Sequence, residues 1–281
     1  LKIIYPKFIK ILSADCHIAT YWQTAEFLQS KVVHGKKFYF VQGYESLWGG
    51  EKKRVNKTYT REFEYIVLSG WLKRIISNIT GKEALVLVTP VTPASLTFKE
   101  GWREKYGPQF RIGFHYVKKR FKGFPEFESA ILNLEKEIKN LKVVILTTER
   151  RRKFLFSNYE VWNNPQQSAL EQYYNSLDLF ITTSWYEGLG MTLMEALACK
   201  IPIIATDSSG CREFARHLET AYLIKPNSVE SIIKGIKALY DDSQLRKKIA
   251  LCGYNEIQKY SWENNTDKLL EFLYSNSLKK T

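Results

Sequence analysis

The stretch LFITTSWYEGLGMTLMEALAC, residues 179–199, decides the fold. Its first part, LFITTS at 179–184, is a short apolar run typical of a buried strand. Residues 187–190 (EGLG) place two glycines in the next segment, and residues 191–199 have the composition of a helix. Because strand and helix candidates alternate along most of the chain, this stretch is typical of one crossover unit of a parallel sheet.

Two carboxylates frame this junction, with Glu187 in the expected loop and Glu195 on the expected helix. Backbone N–H groups at a helix start point outward and favour anions. Two glycines let a ligand approach the main chain closely. Phosphate contacts, together with carboxylates that accept hydrogen bonds from sugar hydroxyls, indicate a nucleotide-sugar site. The alternative is that the glycines serve only to turn the chain, as they do at many strand–loop–helix junctions.

The composition sets broad limits on the class of protein. A chain of 281 residues suits one large domain or two ordinary ones. Because no run of 18 apolar residues occurs, no transmembrane helix is expected, and residues 1–10 do not read as a signal peptide. The scattered cysteines show no CxxC spacing, which predicts a reduced cytoplasmic protein without a zinc site. The four cysteines are Cys16, Cys199, Cys211 and Cys252.

The positive charge lies entirely in the first part of the chain. Residues 1–153 hold 29 Lys+Arg and 14 Asp+Glu, a net charge of +15, whereas residues 154–281 carry −2. Such a surface can attract nucleotides or make peripheral contact with an anionic membrane; a solvated lysine-rich surface is the alternative. The basic run 150–153 is accompanied by no stacking-aromatic module or helix-turn-helix pattern, so nucleic acid is not an expected partner.

Short apolar strand candidates alternate with amphipathic helix candidates, which predicts an α/β fold with parallel sheets. The strand candidates are residues 16–21, 37–42, 65–68, 84–88, 110–116, 141–147, 159–162, 179–183, 201–206 and 221–224. The helix candidates are residues 24–31, 70–79, 126–140, 167–176, 191–199, 229–240, 244–260 and 263–275. Two prolines in TPVTP at 89–93 predict a boundary, which gives a short N-terminal domain at 1–98 and a larger one at 99–281.

Four ordered blocks of the second half resemble glycosyltransferase family 4. Residues 184–190 (SWYEGLG) resemble the family's S-x-x-E-G-F-G, and residues 195–206 (EALACKIPIIAT) resemble its E-A-M-A-x-G-x-P-V-I-A-T. Residues 209–213 (SGCRE) are similar to its G-G-x-x-E, and residues 260–262 (YSW) to an F-S-W that precedes the last helix. The first half resembles, more loosely, a branch that includes bacterial rhamnosyltransferases. The segments that carry this second likeness are FYFVQGYE at 38–45, VLSGWL at 67–72 and the Lys122-Gly123 pair.

The resemblance implies the GT-B fold, in which two Rossmann-like domains face a cleft that holds the donor. The N-terminal domain would take the acceptor side, and the last helix would pack back on it. Glu187 is expected to contact the transferred sugar near its reacting end, and Glu195 to accept hydrogen bonds from the ribose hydroxyls. Backbone N–H groups of the loop between them are expected to touch the sugar or the phosphates. These N–H groups belong to Gly188, Leu189, Gly190 and Met191.

The resemblance also assigns cations to the diphosphate. Lys122 is expected to pair with it and to act with Glu187 as a catalytic residue. The family pattern G-R-L-x-x-x-K-G adds an arginine shortly after a glycine, but Gly113 is followed here by Phe114 and His115. Because that arginine is absent, Lys118 or Lys119 is expected to take its place.

The implied activity is retaining transfer of a hexosyl or deoxyhexosyl unit from a nucleoside diphosphate sugar to a glycan or lipid-linked acceptor. The resemblance implies neither a metal nor a cofactor, and the chain shows no obvious Asp-x-Asp site. The alternative is a non-catalytic protein that keeps the fold and binds a nucleotide sugar or serves as a scaffold. This alternative is motivated by an N-terminal domain of about 98 residues, which is short for the fold.

Overall fold

The chain forms two compact units in the computed structural model, which describes residues 14–48, 51–91, 96–149 and 153–277. Unit 1 takes in the described residues up to Val88 together with those from Trp262 onward, and unit 2 runs from Thr89 to Ser261. The prediction that residues 1–98 form the acceptor-side domain and residues 99–281 the nucleotide-sugar-binding domain stays a prediction. Residues 1–10, 92–93 and 150–152, which entered the sequence argument, lie outside the described residues.

The described part of unit 1 contains a four-stranded parallel sheet in the order β1-β2-β3-β4. Its strands are β1 (Cys16–Ala19), β2 (Lys36–Val41), β3 (Glu64–Val67) and β4 (Ala84–Val86). Its helices are α1 (Trp22–Gln29), α2 (Lys52–Asn56), α3 (Gly70–Thr80) and the C-terminal helix (Trp262–Ser277). Helix α2 has no counterpart in the sequence prediction, because five residues are too few to show a helical period.

The C-terminal helix covers one face of this sheet. Phe38 of β2 and Phe272 of the helix meet edge to face with ring centroids 5.9 Å apart, and Leu269 and Leu273 pack on the same cluster. The side-chain amide of Asn265 donates to the carbonyl of Val88 at 2.8 Å. Apolar burial and this hydrogen bond therefore hold the C-terminal helix against the sheet of unit 1.

A buried carboxyl group lies beyond the carboxyl end of β2. Glu45 is 2 % exposed, and its Oε2 accepts a hydrogen bond from the Tyr39 hydroxyl at 2.6 Å. Tyr59 stacks on Tyr39 with ring centroids 5.7 Å apart. Burial raises the pKa of Glu45 to about 7, although the hydrogen bond from Tyr39 opposes the rise.

This carboxyl predicts a loss of stability as the pH rises. The folded protein keeps Glu45 protonated up to about pH 7, whereas the unfolded chain releases the proton near the ordinary value of 4.5. The native state therefore binds more protons, and unit 1 should lose about 3 kcal/mol of opening free energy across that interval. Glu45→Gln has no proton to release and should remove this dependence. Hydrogen exchange of β2 amides at about pH 5 and about pH 8, corrected for intrinsic rates, measures it. Equal pH dependence in both proteins would contradict the assignment.

The described part of unit 2 contains a six-stranded parallel sheet in the order β10-β9-β8-β5-β6-β7. Its strands are β5 (Phe110–Tyr116), β6 (Leu141–Thr147), β7 (Tyr159–Asn163), β8 (Leu179–Ile181), β9 (Ile203–Thr206) and β10 (Tyr222–Ile224). Its helices are α4 (Phe124–Leu134), α5 (Gln167–Asn175), α6 (Met191–Ala198), α7 (Val229–Asp241) and α8 (Ser243–Ile257). The predicted α/β class with two parallel-sheet, Rossmann-like units is confirmed.

The strand order of unit 2 reverses between β5 and β8. From β5 the chain builds outward through β6 and β7, and it then returns to place β8, β9 and β10 on the other side. β5 and β8 are neighbours in register, with Phe114 level with Ile181. In open parallel sheets, ligands bind beyond the carboxyl ends of the strands at such a reversal. A ligand-binding site is therefore expected at the loops that follow β5 and β8.

No helix within the described residues is both long enough and apolar enough to cross a membrane.

Candidate active site

An ion pair joins the two loops at the strand reversal. Lys122 ends a short 3-10 turn after β5, and its Nζ donates to Oε1 of Glu187, in the loop after β8, at 2.6 Å. Both side chains are largely buried, with 23% and 18% of their surfaces exposed. The two residues predicted to be catalytic thus lie in contact although 65 positions separate them. Their contact depends on the pairing of β5 with β8.

Main-chain contacts hold the two loops against each other. The backbone N–H of Trp185 donates to the Phe121 carbonyl at 2.7 Å, and the Thr183 hydroxyl donates to the Gly123 carbonyl at 2.9 Å. Gly123 has φ +68°, and a Cβ there would lie 2.1 Å from the Thr183 carbonyl oxygen. Only glycine fits this contact, so the packing of the loop requires Gly123.

The backbone of Glu187 is clamped at both of its polar groups. Its N–H donates to the Ser209 hydroxyl at 2.7 Å, and its carbonyl accepts from the Gly210 N–H at 3.0 Å. A Cβ at Gly210 would lie 2.0 Å from the Gly188 carbonyl oxygen, so glycine is needed for the approach. Ser209 itself takes φ +52°, a strained backbone conformation that such clamps sustain. The segment 209–213 therefore positions the Glu187 carboxylate.

Open backbone donors follow Glu187 into the first turn of α6. Within the described part of the chain, the N–H groups of Gly188 to Thr192 donate to no other residue. Gly190 is the N-cap of α6 with φ +96°, and no side chain caps this helix end. Unsatisfied N–H groups at a helix start attract anions because they carry the positive end of the helix dipole. The donors predicted on Gly188, Leu189, Gly190 and Met191 are thus available, and Thr192 adds one that sequence analysis omitted.

Glu195 lies on α6 with one oxygen already engaged. Its Oε2 accepts a hydrogen bond from the Tyr174 hydroxyl at 2.6 Å, and Tyr174 of α5 is fully buried. Burial raises the pKa of Glu195, while the hydrogen bond from Tyr174 opposes the rise. Tyr174 orients this carboxylate, and the other oxygen, Oε1, makes no hydrogen bond within the described residues.

The two lysines expected to replace the family's arginine are on the surface. Lys118 and Lys119 are exposed, and within the described residues their ammonium groups form no ion pair. Their backbones shape the loop: the Lys118 N–H donates to Oε1 of Glu149 at 3.1 Å, and the Lys119 carbonyl accepts from the Lys122 N–H at 3.0 Å. Their predicted contact with a diphosphate stays a prediction.

A histidine that sequence analysis did not consider lies beside the ion pair. His115, near the carboxyl end of β5, lines a small cavity together with Lys122, Glu187 and Thr192. Burial lowers the pKa of His115, and Lys122 lowers it further, whereas Glu187 opposes the shift. His115 is the residue before the last of β5 and lies seven residues before Lys122.

Aromatic rings cover the outer side of the Lys122 loop. Tyr186 stacks on Phe121 with centroids 4.8 Å apart, and the Arg120 guanidinium lies 4.5 Å from the Trp185 ring. Glu126 accepts hydrogen bonds from both terminal nitrogens of Arg120. Since Arg120 is engaged in these contacts, Lys122 is the cation of this turn that faces the interior. Within the described residues, no group of three or more His, Cys, Asp or Glu side chains could hold a metal ion.

The model of the family described as "Glycosyl transferases group 1" matches residues 114–256, just over half of the chain. The matched residues include both loops of the candidate site. Among relatives, the chain is 25% identical over 219 residues to "Lipopolysaccharide core biosynthesis glycosyltransferase LpsE" of Rhizobium meliloti, covering 73% of this chain and 59% of that one. It is 29% identical over 113 residues to "Sulfoquinovosyl transferase SQD2" of Arabidopsis thaliana, covering 39% and 22%.

The fold is similar to that of Anabaena Alr3699/HepE, whose crystal structure was solved in complex with UDP-glucose. The TM-score is 0.81 at 15% identity, and the match covers 93% of this chain and 79% of that chain. This likeness confirms the predicted GT-B type of fold, with two Rossmann-like units. The chain spans less than two thirds of the length of the curated relatives it matches.

Proposed function

This chain belongs to the group 1 glycosyl transferases, and we propose that it moves a hexosyl or deoxyhexosyl unit from a nucleoside diphosphate sugar to an acceptor, with retention of configuration. The observation that carries the proposal is the Lys122–Glu187 ion pair at the start of a row of open N–H donors. A cation, an anion-binding helix start and a carboxylate meet at the strand reversal. These are the groups that a sugar diphosphate needs.

The proposed chemistry centres on the leaving diphosphate. As the glycosidic bond breaks, negative charge grows on the phosphate oxygens, and Lys122 and the N–H groups of residues 188–192 stabilise that charge. Fixed donors of this kind each contribute about 3 kcal/mol to transition-state stabilisation. In attack from the same face, a phosphate oxygen of the leaving group accepts the acceptor's hydroxyl proton, so no separate protein base is needed. Neither a metal nor a cofactor takes part in the proposed reaction.

Glu187 and Glu195 have different proposed roles. Glu187 contacts the sugar near the bond that breaks, where its backbone is clamped by Ser209 and Gly210. Glu195 accepts hydrogen bonds from the ribose hydroxyls through Oε1, while Tyr174 holds Oε2. The first carboxylate therefore acts in turnover and the second in nucleotide affinity.

The proposed acceptor is a glycan or a lipid-linked saccharide. Two observations support this acceptor: LpsE is named for lipopolysaccharide core biosynthesis, and residues 1–153 carry a net charge of +15. A cationic surface favours peripheral contact with anionic lipids. Sedimentation with liposomes, with and without anionic lipid, tests this part of the proposal separately from the transfer reaction.

The proposal is tested by a screen of UDP, GDP and dTDP sugars with mass detection of transfer and of donor hydrolysis. We expect one class of nucleotide sugar to bind and to be consumed. Binding without transfer or hydrolysis would favour the non-catalytic alternative, and the absence of binding across the panel would contradict the proposal.

Glu195→Gln is expected to weaken nucleotide binding by about 10- to 100-fold, because a hydrogen bond to a charged group contributes about 1.5–3 kcal/mol. The amide oxygen can still accept from Tyr174, so the helix should keep its packing. Calorimetric titration with the nucleotide that binds measures the change. The surface variant Glu83→Gln, which removes a carboxylate paired with Lys73, is the control. An unchanged nucleotide affinity in Glu195→Gln would contradict the proposed hydrogen bonds between Glu195 and the ribose.

A further inference from the structure

His115 occupies a position that the proposed reaction does not yet use. It is near the last residue of β5, and the loop that carries Lys122 starts directly after that strand. Its ring lines the cavity that Lys122, Glu187 and Thr192 also line. Thr192 is the last residue in the row of open N–H donors. The histidine therefore faces the place where the cation, the carboxylate and the anion-binding helix start meet.

The imidazole is free to bind a ligand. Within the described residues neither ring nitrogen of His115 makes a hydrogen bond, although other histidines do: the His17 ring contacts the His34 carbonyl, and His217 accepts from the Leu223 N–H. A partly buried imidazole without a partner in a polar cavity is positioned to donate to an incoming oxygen. Lys118 and Lys119, by contrast, are exposed to solvent.

We propose that His115 is a donor-binding residue, which takes up a proton as the sugar diphosphate enters and so supplies the second cation of the site. This inference rests on the proposed function, since it needs a diphosphate beside Lys122. One proton moves from solvent to the imidazole, and no covalent bond to the substrate forms or breaks. The protonated ring then donates to a phosphate oxygen.

A bound diphosphate makes the surroundings of His115 more negative. In the free protein, burial and the Lys122 ammonium keep the ring neutral, and the Glu187 carboxylate only partly offsets them. The Cys211 thiol also interacts electrostatically with Glu187 and Lys122, and burial raises its pKa. A diphosphate adds two negative charges close to the ring, which raises the pKa of His115. Because the complex then binds more protons than the free protein, affinity should fall as the pH rises.

The experiment is calorimetric titration of a nucleotide sugar, chosen from the UDP, GDP and dTDP series by which one binds. The diphosphate of a nucleotide sugar is esterified at both ends and does not titrate near neutral pH. The terminal phosphate of a free nucleotide titrates at about pH 6, and its protons would be counted together with those of His115. Heats measured in buffers of low and high ionisation enthalpy give the number of protons taken up. We expect uptake near neutral pH and an affinity that falls severalfold between about pH 6 and about pH 8, because the protonated ring is lost over that range.

His115→Gln should bind the same sugar with no His-linked proton uptake and with a flatter pH profile, and its affinity should approach that of the parent protein at high pH. His115→Asn serves as a second variant, with thermal unfolding of both compared with that of the parent. His217→Gln is the matched histidine control and should take up protons as the parent does. Equal proton uptake in the parent and in a folded His115 variant would overturn the inference while leaving donor binding intact. If no nucleotide sugar binds, it is the proposed function that fails.

Discussion

Glu187→Gln is expected to lower kcat by about 100- to 1,000-fold while changing nucleotide affinity by less than about threefold. The amide keeps the size of the side chain, and the backbone clamp from Ser209 and Gly210 does not involve the carboxylate. What disappears is the negative charge beside the reacting end of the sugar and the partner of Lys122. Steady-state transfer or donor hydrolysis gives kcat, and calorimetry gives the nucleotide Kd.

The control for this variant is Glu83→Gln, because Glu83 also pairs with a lysine, Lys73, at 2.6 Å, but on the exposed surface of unit 1. Surface pairs of this kind contribute little to stability, so Glu83→Gln should behave as the parent protein does. A Glu187→Gln variant with the parent's turnover would remove this carboxylate from the reaction.

Lys122→Met is expected to reduce kcat/KM by about 100- to 1,000-fold, because one fixed donor to a developing phosphate charge contributes about 3–4 kcal/mol. Unlike Glu187→Gln, this variant should also weaken nucleotide binding, since the ammonium attracts the diphosphate in the ground state as well. Methionine preserves the length and apolar stem of the side chain. Comparing kcat with the Kd of the nucleotide separates the two contributions.

Lys73→Met is the matched control, because it removes the lysine of the exposed pair with Glu83. Lys122→Arg adds a second comparison, since it keeps the positive charge and should retain more activity than Lys122→Met. The role of Lys122 would be refuted if the methionine and arginine variants were both as active as the parent.

The sequence predicted the strand bounds best in segments where most residues are apolar. β5 and β6 have the predicted bounds, 110–116 and 141–147, because strands buried on both faces carry mostly apolar side chains. The helix predicted at 126–140 instead covers Phe124–Leu134. The helix starts two residues earlier than predicted because Pro125 lies in its first turn, where proline is accepted. At the other end, the N–H groups of Lys136 and Glu137 donate to the carbonyls of Asn133 and Leu134. These bonds span three residues instead of four, so the α-helix ends there.

The site residues could be predicted individually, but their arrangement could not. Motif order indicated Lys122, Glu187 and Glu195, and the structure brings the first two into contact because β5 and β8 pair across the strand reversal. Nothing local to either loop encodes that pairing. The clamp by Ser209 and Gly210 depends in the same way on a segment from beyond β9. His115 was overlooked because a histidine inside an apolar strand gives no local sign of whether it faces the core or a cavity.

In the proposed reaction, the row of N–H donors after Glu187 binds the diphosphate of a nucleotide sugar. Amide hydrogen exchange of residues 188–192, resolved by NMR with and without the nucleotide sugar that binds, tests it most directly. These amides donate to no other described residue in the free protein, so they should exchange rapidly alone and slow markedly when phosphate oxygens accept from them. Unchanged exchange at residues 188–192 in a saturated complex would contradict the account.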